Sequence, residues 1–384
     1  MSQVNRTSVA YACAAAAAGA AAVSLWSYRR RKRQRTRLSI AEGYTGLIGN
    51  TPMVRLHSLS DATGCDIFAK VEFLNPGGTG KDRLAAAMIE AAEAAGLLKP
   101  GGTVVEGTSG STGISLASIC RARGFRCVIV MPDDQAGEKK AMLETLGATV
   151  VQVKTAAIAS PEHYVNAARR IAAETLGAVF MDQFETSANF NVHYARTAPE
   201  IWSQTGGALD AFVMGAGTGG SIAGVSAYLK ERRRGIRVYL VDPPGSSLFN
   251  RVKFGVCYAA QQAERAVRRH RYDTLAEGIG LDRVTANFAK ATIDDAFAIS
   301  DQEAVTMAHY LLRHEGLLLG SSSAMNAAGA VKAARQLGSG HTIVTVLCDH
   351  GARYASRFWN RAFVEGRGLQ WPEPDQLLSL DFVT

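Results

Sequence analysis

Four loops rich in glycine and hydroxyl residues carry the side chains that could do chemistry, and each opens a helical pattern. The first loop, residues 75–83, places Lys81 at the mouth of a glycine-rich turn at a helix start. A lysine held in such a turn can attack a bound aldehyde as an amine. The alternative is a solvated lysine beside Asp82, since lysine side chains are usually exposed.

The second and fourth loops combine small hydroxyl residues with free backbone N–H groups. Residues 106–113 read E-G-T-S-G-S-T-G, and hydroxyls at a helix start suit an anion, particularly a carboxylate. Residues 320–324 read G-S-S-S-A, and their small side chains allow a flat ring to approach closely. Each loop could instead be a simple helix N-cap, because serine and threonine favour that position.

The third loop, residues 215–221, reads G-A-G-T-G-G-S and matches the dinucleotide fingerprint G-x-G-x-x-G. Asp242 lies 27 residues after Gly215, so an NAD-binding protein is an alternative. Such loops nevertheless bind any phosphate, because they offer backbone N–H groups and a helix dipole. The motif therefore indicates a phosphate before it indicates a nucleotide.

Alternating strands and helices are expected to position these loops. Apolar runs predict strands at residues 66–73, 103–106, 126–131, 149–153, 178–181, 211–214, 237–241 and 342–347. Helical patterns lie between them at residues 83–95, 114–123, 138–146, 162–176 and 221–233. This alternation predicts an α/β protein with parallel sheets and helices on both faces. Ligands bind such sheets beyond the carboxyl ends of the strands, where the four loops should meet.

Composition excludes several classes of protein. The chain has 384 residues, 47% of them hydrophobic and 20% charged, which is typical of a globular protein long enough for two domains. The six cysteines form no C-x-x-C pair and the histidines are scattered, so we expect reduced thiols and no metal site. Residues 1–37 hold eight of the basic residues and no acid, which leaves 34 basic against 34 acidic residues. No nucleic-acid partner is expected.

The amino terminus has the pattern of a membrane anchor. Residues 7–28 are uncharged, and as a helix they would span about 33 Å, enough for a hydrocarbon core of about 30 Å. Trp26 and Tyr28 lie where an aromatic belt would be, and seven of residues 29–37 are basic. The positive-inside rule predicts a single span with the rest of the chain in the cytosol. The alternative is a leader that never inserts or is cleaved.

In this order, the loops make residues 44–355 resemble the cysteine synthase and cystathionine β-synthase family of pyridoxal phosphate (PLP) enzymes, above all its membrane-anchored members. The matching phrases are I-G-N-T-P-M-V-R-L (48–56), N-P-G-G-T-G-K-D-R (75–83), E-G-T-S-G-S-T-G (106–113), M-P-D-D (131–134), Q-F-E (183–185), G-T-G-G-S (217–221), E-G-I-G (277–280) and S-D-Q-E-A (300–304).

The resemblance implies the tryptophan synthase β-like PLP fold, with two three-layer domains of parallel sheet behind an N-terminal membrane helix. Residues 1–37 would be the anchor with its basic flank. Residues 38–190 would carry the PLP-binding lysine and the substrate loop. Residues 191–384 would carry the phosphate loop and the contact to the pyridine nitrogen.

The resemblance also implies a role for each site residue. Lys81 would bind the aldehyde of PLP covalently and act as the catalytic base. Ser111 would lie near the phenolic oxygen of PLP, and Ser322 would face its pyridine nitrogen. The PLP phosphate would be held by Gly217, Thr218, Gly219, Gly220 and Ser221. The substrate carboxylate would be bound by Thr108, Ser109, Thr112 and Gln183.

The implied activity is β-replacement on an activated serine resembling O-acetylserine, with sulfide as the acceptor and L-cysteine as the product. Alternatives are β-elimination by a serine dehydratase or a cysteine desulfhydrase, a cystathionine β-synthase-like activity, or a weakly active PLP-binding anchored sensor. A homodimer and a serine acetyltransferase partner are expected. The anchor resembles the signals of mitochondrial outer-membrane proteins, which would leave the catalytic body facing the cytosol.

The sequence departs from the family pattern at several positions. Ser111 stands where the family usually has asparagine, and the segment C-D-H-G at residues 348–351 replaces the usual D-S-G. Gly80 replaces a larger residue before the lysine, and the basic stretch at 265–271 is predicted to be a solvated helix face. Because the resemblance places that asparagine near the phenolic oxygen of PLP, Ser111→Asn is expected to speed loss of the β-substituent from O-acetylserine and to leave PLP affinity little changed.

Overall fold

The computed structural model describes residues 40–259 and 274–384. The predicted membrane helix at 7–28, its basic flank and the basic stretch at 265–271 lie outside these ranges. Within the two described ranges, no helix is both long enough and apolar enough to cross a membrane.

Strands and helices alternate along the described chain. The strands are β1 (Met53–Arg55), β2 (Asp66–Val71), β3 (Thr103–Gly107), β4 (Arg126–Pro132), β5 (Thr149–Val153), β6 (Ala178–Phe180), β7 (Ala211–Gly215), β8 (Arg237–Asp242), β9 (Asp295–Ala298) and β10 (Thr342–Leu347). The helices are α1 (His57–Thr63), α2 (Lys81–Ala94), α3 (Ser111–Arg123), α4 (Gly137–Thr145), α5 (Tyr164–Glu174), α6 (Ser187–Val192), α7 (Ala198–Gln204), α8 (Gly220–Arg232), α9 (Leu248–Phe254), α10 (Asp301–Glu315), α11 (Ser321–Leu337) and α12 (Arg361–Glu365).

The strands form two sheets. The larger sheet has the order β1-β2-β10-β7-β8-β9, and all its pairs are parallel except β1 with β2. The smaller sheet has the order β5-β4-β3-β6 and is entirely parallel. The predicted α/β class with parallel sheets is therefore confirmed. The larger sheet takes strands from both sides of residue 190, and the domain limits 38–190 and 191–384 stay predictions.

Alternation along the central strands puts helices on both faces of the larger sheet. Val213 of β7 packs into an apolar cluster with residues of α10 and α11. Its neighbours Phe212 and Met214 pack into a second cluster, together with Ile222 and Leu229 of α8. Because successive side chains of a strand point to opposite faces, β7 is buried between two helical layers.

The predicted strands are confirmed, with ends within about two residues of the observed ones. Strands β1 and β9, which have three and four mostly half-buried residues, were not predicted. Two helices begin two or three residues earlier than predicted: α2 starts at Lys81 and α3 at Ser111. Both candidate site residues therefore occupy the first turn of a helix, where N–H groups lack intrahelical acceptors.

Candidate active site

A cavity of about 180 Å³ lies beyond the carboxyl ends of β3, β7 and β10, the edge at which the sequence predicted a ligand. Eleven of the twelve predicted site residues line this inner cavity: Lys81, Thr108, Ser109, Ser111, Thr112, Gln183, Gly217, Thr218, Gly219, Ser221 and Ser322. Gly220 does not line it. A Cβ at Gly220 would lie 2.0 Å from Oδ1 of Asn189, so this glycine serves close packing.

The turn before Lys81 is fixed by its own hydrogen bonds. The N–H of Gly80 donates to the carbonyl oxygen of Cys348 (3.0 Å), and the N–H of Lys81 donates to Oγ1 of Thr79 (3.2 Å). The N–H of Gly77 donates to Oδ2 of Asp82 (2.6 Å). Burial raises the pKa of Asp82 to about 6. The turn thus holds Lys81 at the start of α2 and on the cavity wall.

Arg83 anchors the same helical turn in a buried ion cluster. Its guanidinium donates to Glu72 (Nε to Oε2, 2.7 Å) and to Glu200 (Nη1 to Oε1, 2.7 Å). Lys70, which is fully buried, lies 2.7 Å from the other oxygen of Glu200. Burial opposes ionisation of Glu200, but Arg83 and Lys70 together lower its pKa to about 2.

The loop after β3 brings two predicted substrate-binding groups into contact. Oγ1 of Thr112 donates to Oε1 of Gln183 (2.7 Å), and Nε2 of Gln183 donates to the carbonyl oxygen of Gly107 (3.0 Å). The N–H of Gln183 donates to Oε2 of Glu106 (3.2 Å). Burial raises the pKa of Glu106 to about 8, so this carboxyl is largely neutral at pH 7. Hydroxyl and amide groups are thus concentrated on one wall.

Ser111 makes a contact that the sequence did not predict. Its hydroxyl donates to Oδ2 of Asp349 (2.8 Å), a buried carboxylate just after β10. Nη1 of Arg353 lies 3.5 Å from the same serine oxygen. In this arrangement the hydroxyl hydrogen of Ser111 is directed to Asp349, and the predicted contact with the phenolic oxygen of PLP stays a prediction.

The glycine-rich loop joins β7 to α8 and is held by its neighbours. Nδ2 of Asn189 donates to Oγ1 of Thr218 (2.8 Å), and a Cβ at Gly217 would lie 2.0 Å from the carbonyl oxygen of Gly278. Oγ of Ser221 lies 2.9 Å from Nε2 of His193, whose pKa is lowered to about 3 by burial. His193 is therefore neutral, and the backbone N–H groups at the start of α8 are the donors available to an anion.

Asp242, which supported the dinucleotide alternative, lies elsewhere. It is fully buried, does not line the inner cavity, and accepts the N–H of Phe249 at Oδ2 (2.6 Å). This bond satisfies an N–H in the first turn of α9, which has no acceptor within the helix. The structure therefore favours a phosphate site over a dinucleotide site.

The start of α11 contributes Ser322 and Asn326 to the cavity. Oδ1 of Asn326 accepts the N–H of Gly215 (2.7 Å), which ties this helix to the end of β7. Cys348 also lines the cavity, and burial, reinforced by the nearby negative charge of Asp349, raises the pKa of its thiol to about 11. Cys348 is thus a neutral thiol at physiological pH.

Several cavity residues were missed by sequence reasoning. Lys139, Glu277, Asp349 and Tyr354 all line the inner cavity. Glu277 and Asp349 stand inside phrases already noted, E-G-I-G and C-D-H-G, but neither phrase indicates a partner. No group of histidine, cysteine, aspartate and glutamate side chains in residues 40–259 and 274–384 could hold a metal ion.

The residues present fit PLP. An amine on Lys81 and the N–H groups of a glycine-rich helix start line the same cavity, which suits an aldehyde and a phosphate on one small molecule. Glycine at 219 adopts φ +85° and a Cβ there would meet Phe288 at 2.6 Å, so the loop keeps its backbone accessible only with glycine.

Comparisons with known proteins agree with this site. Residues 44–349 match the family described as pyridoxal-phosphate dependent enzymes. Cysteine synthase 2 of Schizosaccharomyces pombe is 50% identical over 355 residues, covering 90% of this chain and 89% of the relative. A cysteine synthase of Saccharomyces cerevisiae described as mitochondrial is 49% identical over 332 residues, covering 84% of each chain. The crystal structure of O-ureido-L-serine synthase matches with a TM-score of 0.74 at 30% identity, covering 88% of this chain and 99% of that chain. The chain therefore belongs to the family of pyridoxal-phosphate-dependent enzymes that includes the cysteine synthases.

Proposed function

We propose that this enzyme makes L-cysteine by replacing the β-substituent of an activated serine, such as O-acetylserine, with sulfide. The observation that carries the proposal is the lining of the inner cavity. Lys81, residues of the hydroxyl-rich loop 108–112 and residues of the glycine-rich loop 217–221 all line it. Relatives named cysteine synthase, about half identical to this chain, support the choice of product.

The residues divide the work between binding and proton transfer. When bound, PLP supplies the electron withdrawal that acidifies the α-proton of an amino acid. The amine of Lys81 then removes that proton as a general base. The substrate carboxylate is bound by the side chains of Thr108, Ser109, Thr112 and Gln183, which orients the α-carbon. The N–H groups around Gly217 and Ser221 hold the phosphate.

Ser322 influences which reaction follows proton removal. If Ser322 faces the pyridine nitrogen of bound PLP, its neutral hydroxyl would leave that nitrogen less positively charged than a carboxylate would. A hydroxyl at this position would then favour loss of the β-substituent over racemisation or transamination. The hydroxyl at position 322 is thus consistent with β-replacement.

The proposal is tested by incubating the full-length protein, reconstituted with PLP, with O-acetylserine in the presence and absence of sulfide. Cysteine that appears only with sulfide supports the proposal. Pyruvate as the sole product would assign β-elimination, and cystathionine formed with homocysteine but no cysteine would assign the other branch of the family. A protein that binds PLP and forms none of these products would fit the weakly active PLP-binding alternative. Lys81→Ala is the inactive control.

We further propose that residues 7–28 anchor the enzyme in the mitochondrial outer membrane, with the catalytic body in the cytosol. The uncharged run and the basic residues 29–37 support this, as does the relative described as mitochondrial. Resistance to alkaline carbonate extraction is expected, together with digestion of the body by protease added to intact mitochondria. Release by carbonate would contradict the anchor, and protection from protease would contradict the orientation.

The family resemblance also supports a homodimer that binds a serine acetyltransferase, the enzyme class that would supply O-acetylserine. Light scattering of the purified protein tests the first point, and co-purification with the acetyltransferase of the same organism tests the second.

A further inference from the structure

Asp349 contacts two of the predicted functional loops through its side chain. Asp349 is 6% exposed and lines the inner cavity. Oδ1 accepts the hydroxyl of Thr79 (2.6 Å), two residues before Lys81, while Oδ2 accepts the hydroxyl of Ser111 (2.8 Å). Oδ2 also accepts the hydroxyl of Tyr354 (2.7 Å). Three hydroxyl donors therefore converge on one carboxylate.

The backbone of Asp349 is fixed by further bonds. It pairs with Thr79 in an isolated β-bridge, and its carbonyl oxygen accepts the N–H of Gly320 (3.0 Å) just before α11. Its N–H donates to Oγ of Ser323 (3.3 Å). Asp349 thus lies two residues after the end of β10 in the larger sheet, whereas Ser111 follows β3 of the smaller sheet. Their hydrogen bond connects loops from the two sheets.

The carboxylate at this junction is charged. Burial opposes ionisation, but the positive charge of Arg353, the hydroxyl of Thr79 and the positive charge of Lys81 hold the pKa of Asp349 below its ordinary value. Hydrogen bonds to an ionised acceptor are about twice as strong as bonds between neutral groups. The serine oxygen lies between Arg353 and Asp349, so it accepts from the guanidinium while its own hydrogen points to the carboxylate.

We propose that Asp349 is a positioning residue that holds Ser111, and with it the loop 108–112, where the loop binds the substrate carboxylate. A serine suits this position because one hydroxyl group both accepts from Arg353 and donates to Asp349. Asparagine has a longer side chain and uses separate atoms to donate and accept. Ser111→Asn, which the sequence alone predicts to be faster, is therefore expected to raise KM for the substrate. The inference rests on the proposed function for the identity of that substrate only.

The test compares Asp349→Asn, Ser111→Ala and the double variant in the full-length protein. Hydrogen exchange of amides 108–114, measured without PLP, reports how firmly the loop is held. Each single variant is expected to speed this exchange and to raise KM for O-acetylserine about ten- to a hundred-fold, with a smaller change in kcat. The double variant is expected to be no worse than the worse single variant, because both changes remove one interaction.

Asp242→Asn is the matched control, since Asp242 is also buried, is the last residue of β8 in the same sheet and does not line the cavity. It should leave loop exchange and KM unchanged. Unchanged loop exchange in Asp349→Asn, or additive effects in the double variant, would overturn the proposal. If Asp349→Asn does not fold, Ser111→Ala decides, and unchanged exchange there overturns it too. The exchange measurement needs no substrate, so it stands even if no cysteine is formed.

Discussion

Lys139 and Glu277 form an ion pair in the wall of the inner cavity, with side chains only 4% and 13% exposed. Lys139 belongs to α4, which packs beside the smaller sheet, and Glu277 belongs to the segment that leads into β9 of the larger sheet. The ammonium also lies 5.2 Å from the centre of the Tyr354 ring. This ion pair is a second connection between segments of the two sheets, in addition to the hydrogen bond between Ser111 and Asp349.

Glu277→Gln should destabilise the protein and weaken substrate binding. The change leaves the ammonium of Lys139 buried without its carboxylate, and removing one partner of a buried pair costs about 3–5 kcal/mol. We expect a lower free energy of unfolding in denaturant. We also expect a raised KM for O-acetylserine, because the loop 108–112, which packs on Lys139, is held less firmly.

The chain supplies a matched pair for comparison. Lys253 and Asp295 form an ion pair away from the cavity, with side chains 35% and 25% exposed, so Lys253→Gln should change the free energy of unfolding by less than about 1 kcal/mol. The double variant of Lys139→Met with Glu277→Gln should lose less stability than the two single changes added together. A fully additive loss would mean that the two side chains do not depend on each other.

Gly110→Ala should impair substrate binding more than it impairs folding. Gly110 has φ +147°, and a Cβ there would lie 2.6 Å from Cδ of Lys139. The strained backbone costs about 1–3 kcal/mol, and the clash moves the loop that carries Ser109 and Ser111. Gly124 is the control, because it has φ +73° with open space around its Cβ position. Gly124→Ala should lower the thermal midpoint without changing KM, and equal KM values in the two variants would contradict the prediction.

The sequence predicted that Lys81 and the glycine-rich loop 217–221 lie close together. Both follow apolar runs and precede helical patterns, and the carboxyl ends of parallel strands meet at one sheet edge. Glycine and hydroxyl residues at a helix start also have local meaning, because they leave N–H groups accessible. The loop positions and the approximate helix starts therefore follow from short-range pattern alone.

The partners of Asp349 and Lys139 could not be predicted in this way. Ser111 and Asp349 are separated by 238 positions, and Lys139 and Glu277 by 138. Each is a single charged or hydroxyl residue in its own segment, so no periodicity or spacing connects it with the other. Strand β9 was not predicted for a related reason: its four residues pair with β8, and this pairing leaves no pattern in the sequence of β9 itself.

Acid should destabilise the protein through Glu200. Although burial opposes its ionisation, Arg83 and Lys70 lower its pKa from 4.5 to about 2. A depressed pKa in the folded state stabilises the fold above the unfolded value of 4.5, and this contribution is lost as pH falls towards about 2. After allowance for solvent screening it amounts to roughly 1–3 kcal/mol. Glu200→Gln should have a lower free energy of unfolding than the wild type at pH 7, and the difference should be smaller at pH 3. If urea unfolding gave the same difference at both pH values, the prediction would be wrong.

Glu106 should make the protein less stable as the pH rises, which is the opposite of the effect of Glu200. Burial is the main cause that raises its pKa from 4.5 to about 8, with a smaller contribution from the negative charge of Asp182. The folded protein therefore keeps a neutral carboxyl where the unfolded chain would ionise. Its contribution to stability is complete below about pH 4.5 and is lost progressively as the pH rises through about 8.

Glu106→Gln should remove this loss, because glutamine stays neutral and still offers an oxygen to the N–H of Gln183. The thermal midpoint of the variant, relative to the wild type, is expected to rise steadily between pH 5 and pH 8. Glu174→Gln, at an exposed position at the end of α5, should show no such trend. If the difference between Glu106→Gln and the wild type stayed flat across this range, Glu106 would have to be ionised in the fold. The N–H of Gln183 would then donate to a charged oxygen in the wild type and to a neutral oxygen in the variant. Because Gln183 is one of the groups proposed to hold the substrate carboxylate, the variant should then bind that carboxylate differently at every pH.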